Sequence, residues 1–252
     1  MYKLSISLLI LVCNIFFQLQ AEPTRLIVRA LANDAKFIGS SMGSPKVVIS
    51  AVQTGEVLAE GWIEGGTGNT DLLMRQPHQR YQRLSDEGTG KFEAVLDLEQ
   101  PTKIKIEVFA PAFEDQNQGV ASRVIWMIPG EDILGDGIVM DISGFVIELI
   151  EPYGRQSFTT DEEIPVQINA TMMCGCPISA GGLWDANRFK VTGLLQDGRK
   201  TVNHFDLDYA GNTNQFEGSI KVIAPGNYLL WVYMVDPETG NTGVDQVSIS
   251  VE

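Results

Sequence analysis

The chain predicts an all-β protein made of two consecutive β-sandwich domains behind a cleaved signal peptide. Three observations carry this reading. Apolar residues recur with the period of two that alternates side chains between strand faces: in Lys103–Phe109, Ile104, Ile106 and Val108 alternate with Lys103, Lys105 and Glu107. Clusters of Gly, Asn, Asp, Ser and Thr interrupt these runs at short intervals, and no segment sustains a long helical period. Finally, the N-terminus differs in kind from the rest, with basic Lys3 leading into an apolar run.

Leu4 to Val12 is nearly all apolar, and Ile15, Phe16 and Phe17 extend it. Leu19-Gln20-Ala21 ends on a small residue, which places cleavage before Glu22. The run is short for a bilayer span, which needs about 20 residues, and Asn14 and Gln18 interrupt it. Cys13 follows Val12, whereas a lipidated cysteine usually follows a small residue. Residues 1–21 are therefore expected to be a signal peptide, leaving 231 of the 252 residues, enough for one large or two ordinary domains. No second hydrophobic segment approaches spanning length. The expected address is the periplasm or the medium.

Lys and Arg number 18 against 32 Asp and Glu, a net charge of −14 that loss of Lys3 would take to −15. Such a charge repels polyanions, so nucleic acid and anionic membrane are poor partners. An envelope protein or polysaccharide fits better.

In the first half, strands are expected at Thr24–Ala32, Lys46–Val52 and Glu56–Ile63, the last two joined at Thr54-Gly55. Leu72–Met74 is expected to open a short strand. Gln76–Gly90 is the least strand-like part; with His78, Tyr81 and the nearby Arg75, Arg80 and Arg83 it reads as a solvated loop or as a place to meet an anion. Strands resume at Phe92–Leu98, Lys103–Phe109 and Val120–Ile128. An acidic loop, Gly130–Gly137, precedes a strand at Ile138–Ile142. The domain boundary is placed near Ser143, giving domains 22–143 and 144–252. The linker is short, so the domains are expected to pack or be held semi-rigidly.

The second half predicts strands at Phe145–Ile150, Ile164–Cys174, Arg188–Gln196, Val202–Tyr209, Gln215–Ile223, Tyr228–Val235 and Val244–Val251. Seven strands in about 105 residues read as a sandwich. Tyr228, Leu230, Val232 and Met234 make one face of the penultimate strand, and Leu229, Trp231, Tyr233 and Val235 the other. Two apolar faces mark a central strand. Tyr228 is expected to bury its ring while its hydroxyl bonds nearby backbone.

Ala224-Pro225-Gly226-Asn227-Tyr228, the run LLWVYMVD and the hairpin Gly240-Asn241-Thr242-Gly243 before VDQVSISV resemble the last two strands of bacterial immunoglobulin-like modules. The resemblance covers Ala224–Val251 and reaches the rest of the half through strand count. Val47–Gly61 (VVISAVQTGEVLAEG) more faintly resembles prealbumin-like, carboxypeptidase-regulatory-like sandwiches. These resemblances imply binding, spacing or stiffening, and no catalytic residues.

Val166–Ile178 (VQINATMMCGCPI) holds the most reactive chemistry. Val166, Ile168, Ala170, Met172 and Cys174 share one strand face, and Cys176 joins it if the extended conformation continues. Two residues of extended chain separate Cα atoms by about 6.6 Å, inside the disulfide range. Cys174 and Cys176 would then form a disulfide that closes almost no loop and stabilises little. The same cysteines, with Met172 and a nitrogen from His204, also make a soft donor set that selects copper(I). Inert thiols are the third reading. Trp184, in the loop Ser179–Asn187, would cover the cysteines, pack at an interface or plug one end of the sandwich.

Asp236, Glu238, Asn241 and Asp245, with Asp206 and Asp208, offer oxygens to Ca²⁺ but form no calcium-loop motif, and read as solvated turn residues. Nucleophile elbows, phosphate loops and the H-E-x-x-H motif are absent from the sequence. The expected function is a secreted, non-enzymatic binding or structural protein of the cell envelope. The alternative is a periplasmic copper(I)-binding or thiol-redox protein built on Cys174-Gly175-Cys176.

Overall fold

The computed structural model describes residues 22–112, 116–154 and 156–252. The expected signal peptide, with Cys13, lies outside the described residues, as does part of the Ala112–Gly119 loop.

Seven strands fill the first half: β1 (Glu22–Ala32), β2 (Lys46–Ala51), β3 (Val57–Trp62), β4 (Phe92–Leu98), β5 (Thr102–Ala110), β6 (Gly119–Met127) and β7 (Ile133–Ile142). They form a three-stranded sheet, β4-β1-β7, and a four-stranded sheet, β3-β2-β5-β6. Alternation in the sequence sets the faces. Val47, Ile49, Ile104, Ile106 and Val108 of one sheet and Leu26, Val28, Leu96 and Leu98 of the other are buried in the core.

Two expectations are corrected in this half. Leu72–Met74 is not a strand but the middle of a single wide helical turn, Asp71–Arg75. The Asn69 side chain accepts the Leu72 N–H (3.0 Å) and so diverts the backbone from a ladder. The expected loop before Gly137 is instead the start of β7. Its parallel register with β1 shifts between Leu26 and Val28, where Gly135 and Gly137 take positive φ. A side chain on Gly137 would collide with the Ile27 carbonyl, so the bulge requires glycine there.

The second half contains β8 (Phe145–Glu151), β9 (Ser157–Phe158), β10 (Glu163–Met172), β11 (Ile178–Ser179), β12 (Trp184–Asp185), β13 (Lys190–Asp197), β14 (Lys200–Asp206), β15 (Asp208–Tyr209), β16 (Gln215–Lys221), β17 (Gly226–Val235) and β18 (Thr242–Val251). One sheet runs β15-β16-β10-β8 and the facing one β14-β13-β17-β18-β9. That is the A-B-E-D and C-F-G division of an immunoglobulin sandwich, with two further strands, β14 beside C and the short β9 beside G. The strand expected over Val202–Tyr209 is divided: β14 belongs to one sheet and β15 to the other, and buried Leu207 marks the crossing.

β17 is central, as its two apolar faces require. Tyr228, Leu230, Val232 and Met234 are buried, and Leu229, Trp231, Tyr233 and Val235 are half-buried on the outer face. The Tyr228 hydroxyl donates to the Ala224 carbonyl at 2.9 Å. This is the tyrosine corner of immunoglobulin-like domains. Tyr228→Phe is expected to cost about 1 kcal/mol, the net worth of one hydrogen bond, measured as a shift in urea midpoint at unchanged slope.

Strand pairing stays within residues 22–142 or within 145–251. The halves meet through loops instead. Asn241, fully buried, donates to the Asn33 carbonyl (3.0 Å) and accepts from the Gly144 N–H (2.9 Å). The Asn33 side chain returns a bond to the Thr239 carbonyl (3.2 Å). On another side, Asn117 exchanges two bonds of 3.0 Å with the Ile147 backbone.

Candidate functional site

The cysteine segment lies beside this junction. β10 ends at Met172, and the chain then reverses instead of continuing extended: the Gly175 N–H donates to the Met172 carbonyl (2.7 Å) and the Met172 N–H to the Cys176 carbonyl (3.2 Å). Gly175, at φ +75°, permits the reversal. The two Cα atoms are therefore 5.4 Å apart, closer than an extended chain would hold them, and the sulfurs lie at disulfide distance. Neither cysteine belongs to β10: both follow its last residue, Met172, so Cys174 does not share the strand face expected for it and Cys176 does not extend it.

The other expected ligands are dispersed. Met172 is buried in the core. His204 is exposed on β14, opposite Leu194 of β13, in the sheet that faces the one carrying the cysteines. Among the described residues, no group of three or more His, Cys, Asp and Glu side chains is placed to share a metal ion.

A cleft of about 420 Å³ opens over the cysteine turn. The first half contributes Lys36, Ser41, Thr67, Thr70 and Arg75; the second contributes residues 174–177 of the cysteine turn with Leu183 and Trp184. Trp184 is buried, and its indole donates to the Asp34 carbonyl across the junction at 2.8 Å. It thus packs at the interface, one of the roles expected for it, and lines the same cleft as the cysteines. A side chain on Gly175 would collide with Met42, so the turn packs closely against the first half there.

Asp34, beside this contact, is held above the ordinary carboxylate value. Burial is the main cause, Arg188 (3.9 Å) opposes it, and Asp236 and Glu238 add to it. The residues weighed as calcium ligands make turns and junction contacts. Asp236 accepts the Glu238 N–H (3.0 Å) and the Thr239 hydroxyl (2.9 Å), and Arg188 reaches Glu238 at 3.1 Å. In the basic loop, Arg75 pairs with Asp71 at 2.6 Å, Arg80 lies over the exposed Tyr81 ring at 4.7 Å, and Arg83 sits 4.0 Å from Asp136.

No protein-family model matches the chain, and no curated protein matches it. Solved structures do. An engineered protein is similar at 14% identity and TM-score 0.33, over 50% of this chain and 24% of its own. The fibronectin(III)-like modules of Clostridium thermocellum CbhA are similar at 13% identity and TM-score 0.31, over 91% and 94%. The chicken interferon gamma receptor alpha chain is similar at 10% identity and TM-score 0.34, over 91% and 98%. Strand order and the Tyr228 corner, not these distant likenesses, define the second half as an immunoglobulin-like β-sandwich. Among the described residues no helix is long and apolar enough to cross a membrane.

Proposed function

We propose that the chain is an exported, non-enzymatic module of the cell envelope that binds or braces a protein or polysaccharide. In this reading residues 22–143 and 144–252 are two sandwich domains held as one unit. The observation that supports it is the polar interlock of the halves: buried Asn241 donates to the Asn33 carbonyl, and Asn117 exchanges bonds with the Ile147 backbone. A junction that satisfies its own polar groups while buried fixes the two sandwiches in one orientation, as a spacer or a preorganised binding unit requires. The disulfide reading of Cys174 and Cys176 suits an oxidising compartment.

The test is co-sedimentation of the chain from Glu22 with isolated envelope polysaccharide, and its binding to solubilised envelope proteins, beside a Cys174→Ser/Cys176→Ser variant. Saturable binding that the double variant keeps supports the proposal. Stoichiometric copper(I) uptake lost in the double variant, with no envelope binding by either form, replaces it with the copper or thiol-redox alternative.

A further inference from the structure

We propose that the cleft over the Cys174–Cys176 turn binds a small polyanion, a compound carrying two or more carboxylate or phosphate groups. This goes beyond the envelope-binding reading and does not depend on it.

The charge of the cleft is opposite to that of the chain. Among the described residues its lining holds two cations, Lys36 and Arg75, and no carboxylate, in a protein of net charge −14. A recess of one sign with low-dielectric walls concentrates counter-ions of the other sign. The hydroxyls of Ser41, Thr67 and Thr70 add donors around the cations. Lys36 is half-buried and forms no ion pair with any described residue. Its ammonium therefore has no described carboxylate to give up when an anion binds. Arg75 does have a partner, Asp71 at 2.6 Å, but both side chains are more than 60% exposed, at 62% and 63%. An ion pair that open to solvent is worth little and exchanges for a better acceptor at small cost.

The remaining walls are already fixed. Trp184 is pinned through its indole to the Asp34 carbonyl and Gly175 is packed against Met42, so little needs ordering when a ligand enters. The volume of about 420 Å³ suits a small molecule and not a chain segment of any length. Asp71, paired with Arg75, is the carboxylate a ligand would displace there. Asp34 is drawn instead to Arg188 on the far side of the contact.

The probes are citrate and inorganic pyrophosphate, titrated calorimetrically into the chain from Glu22 at low salt. One saturable site for at least one of them is expected, and the preferred probe separates a carboxylate ligand from a phosphate one. Lys36→Gln should weaken binding about tenfold or more, the worth of one charge-assisted bond. Asp71→Asn, which frees Arg75, should tighten it, whereas Lys221→Gln on β16 should leave it unchanged. Unaltered melting temperatures show that the variants fold. Absence of saturable binding by either probe overturns the proposal, as does binding that Lys36→Gln and Asp71→Asn leave at the level of the original chain.

Discussion

Asn241→Ala is expected to remove about 3 kcal/mol of stability, because it strips a buried junction of the groups that satisfy it. Asn241 has no exposed surface. Its side chain accepts from the Gly144 N–H at 2.9 Å and donates to the Asn33 carbonyl at 3.0 Å. Alanine leaves the buried Gly144 N–H unpaired, at about 1–3 kcal/mol, and takes one bond from the half-buried Asn33, at about 1 kcal/mol. The backbone bond from the Asp236 N–H to the Asn241 carbonyl (2.9 Å) survives, so the turn itself should persist. The bond lost at Asn33 falls on the coupling between halves, and the one lost at Gly144 on the edge of the second half itself. Denaturant unfolding should show the midpoint falling, and a single transition should separate into two as the sandwiches lose their mutual support. Asn241→Asp should cost less at Gly144, since it keeps an acceptor there, while still losing the bond to Asn33. If Asn241→Ala shifts stability by less than about 1 kcal/mol, the interlock does not hold the halves together.

This junction marks the limit of what the sequence discloses. Strands with one buried face were legible almost to the residue: Phe92–Leu98 is β4, and Phe145–Ile150 falls one residue short of β8. Their alternation is local information, written in consecutive residues. The tyrosine corner was legible for the same reason, since Tyr228 bonds backbone only four residues away. The failures sit where a side chain overrides the local pattern, as Asn69 does at Leu72–Met74, or where glycine admits a conformation that alternation does not encode, as at Gly137 and Gly175. The cleft was illegible in a stronger sense. Lys36 stands in an unremarkable turn and Arg75 at the edge of a loop read as solvated. Only docking of the two halves places them opposite Trp184 and the cysteine turn. The cysteines themselves stood out by residue type, but His204 could not be placed relative to them without knowing which sheet carries each.

Arg29 was equally hidden, because an arginine in TRLIVRALA reads as a solvent-facing strand residue, yet it is 2% exposed. It donates to the carbonyls of Thr89 (2.5 Å) and Gly90 (2.7 Å) and lies 6.0 Å from the Phe37 ring centre, while its Nε has no hydrogen-bond partner among the described residues. It ties the long loop after β3 to the core. Asp136 supplies compensating charge. Arg29→Ala should cost about 3–5 kcal/mol: it opens a cavity, leaves two carbonyls unpaired and removes the cation facing a partly buried carboxylate. Arg29→Met should recover the packing share only, which separates volume from polarity. The pH response gives a second, independent reading. Burial acts to raise the Asp136 carboxyl, but bonds from Ser85 and Leu84 and the Arg29 charge outweigh it and hold the group below the ordinary carboxylate value. A folded value below the unfolded one, about 3.9, means the contribution is complete above roughly pH 4 and is lost as pH falls through the folded value. Without the Arg29 charge the gap between the two values narrows. The stability lost on acidification should therefore be smaller in Arg29→Ala than in the original chain, and smaller still in Asp136→Asn. Equal acid slopes in all three would mean that Asp136 does not sense Arg29, and that the arginine is held by its two carbonyls alone.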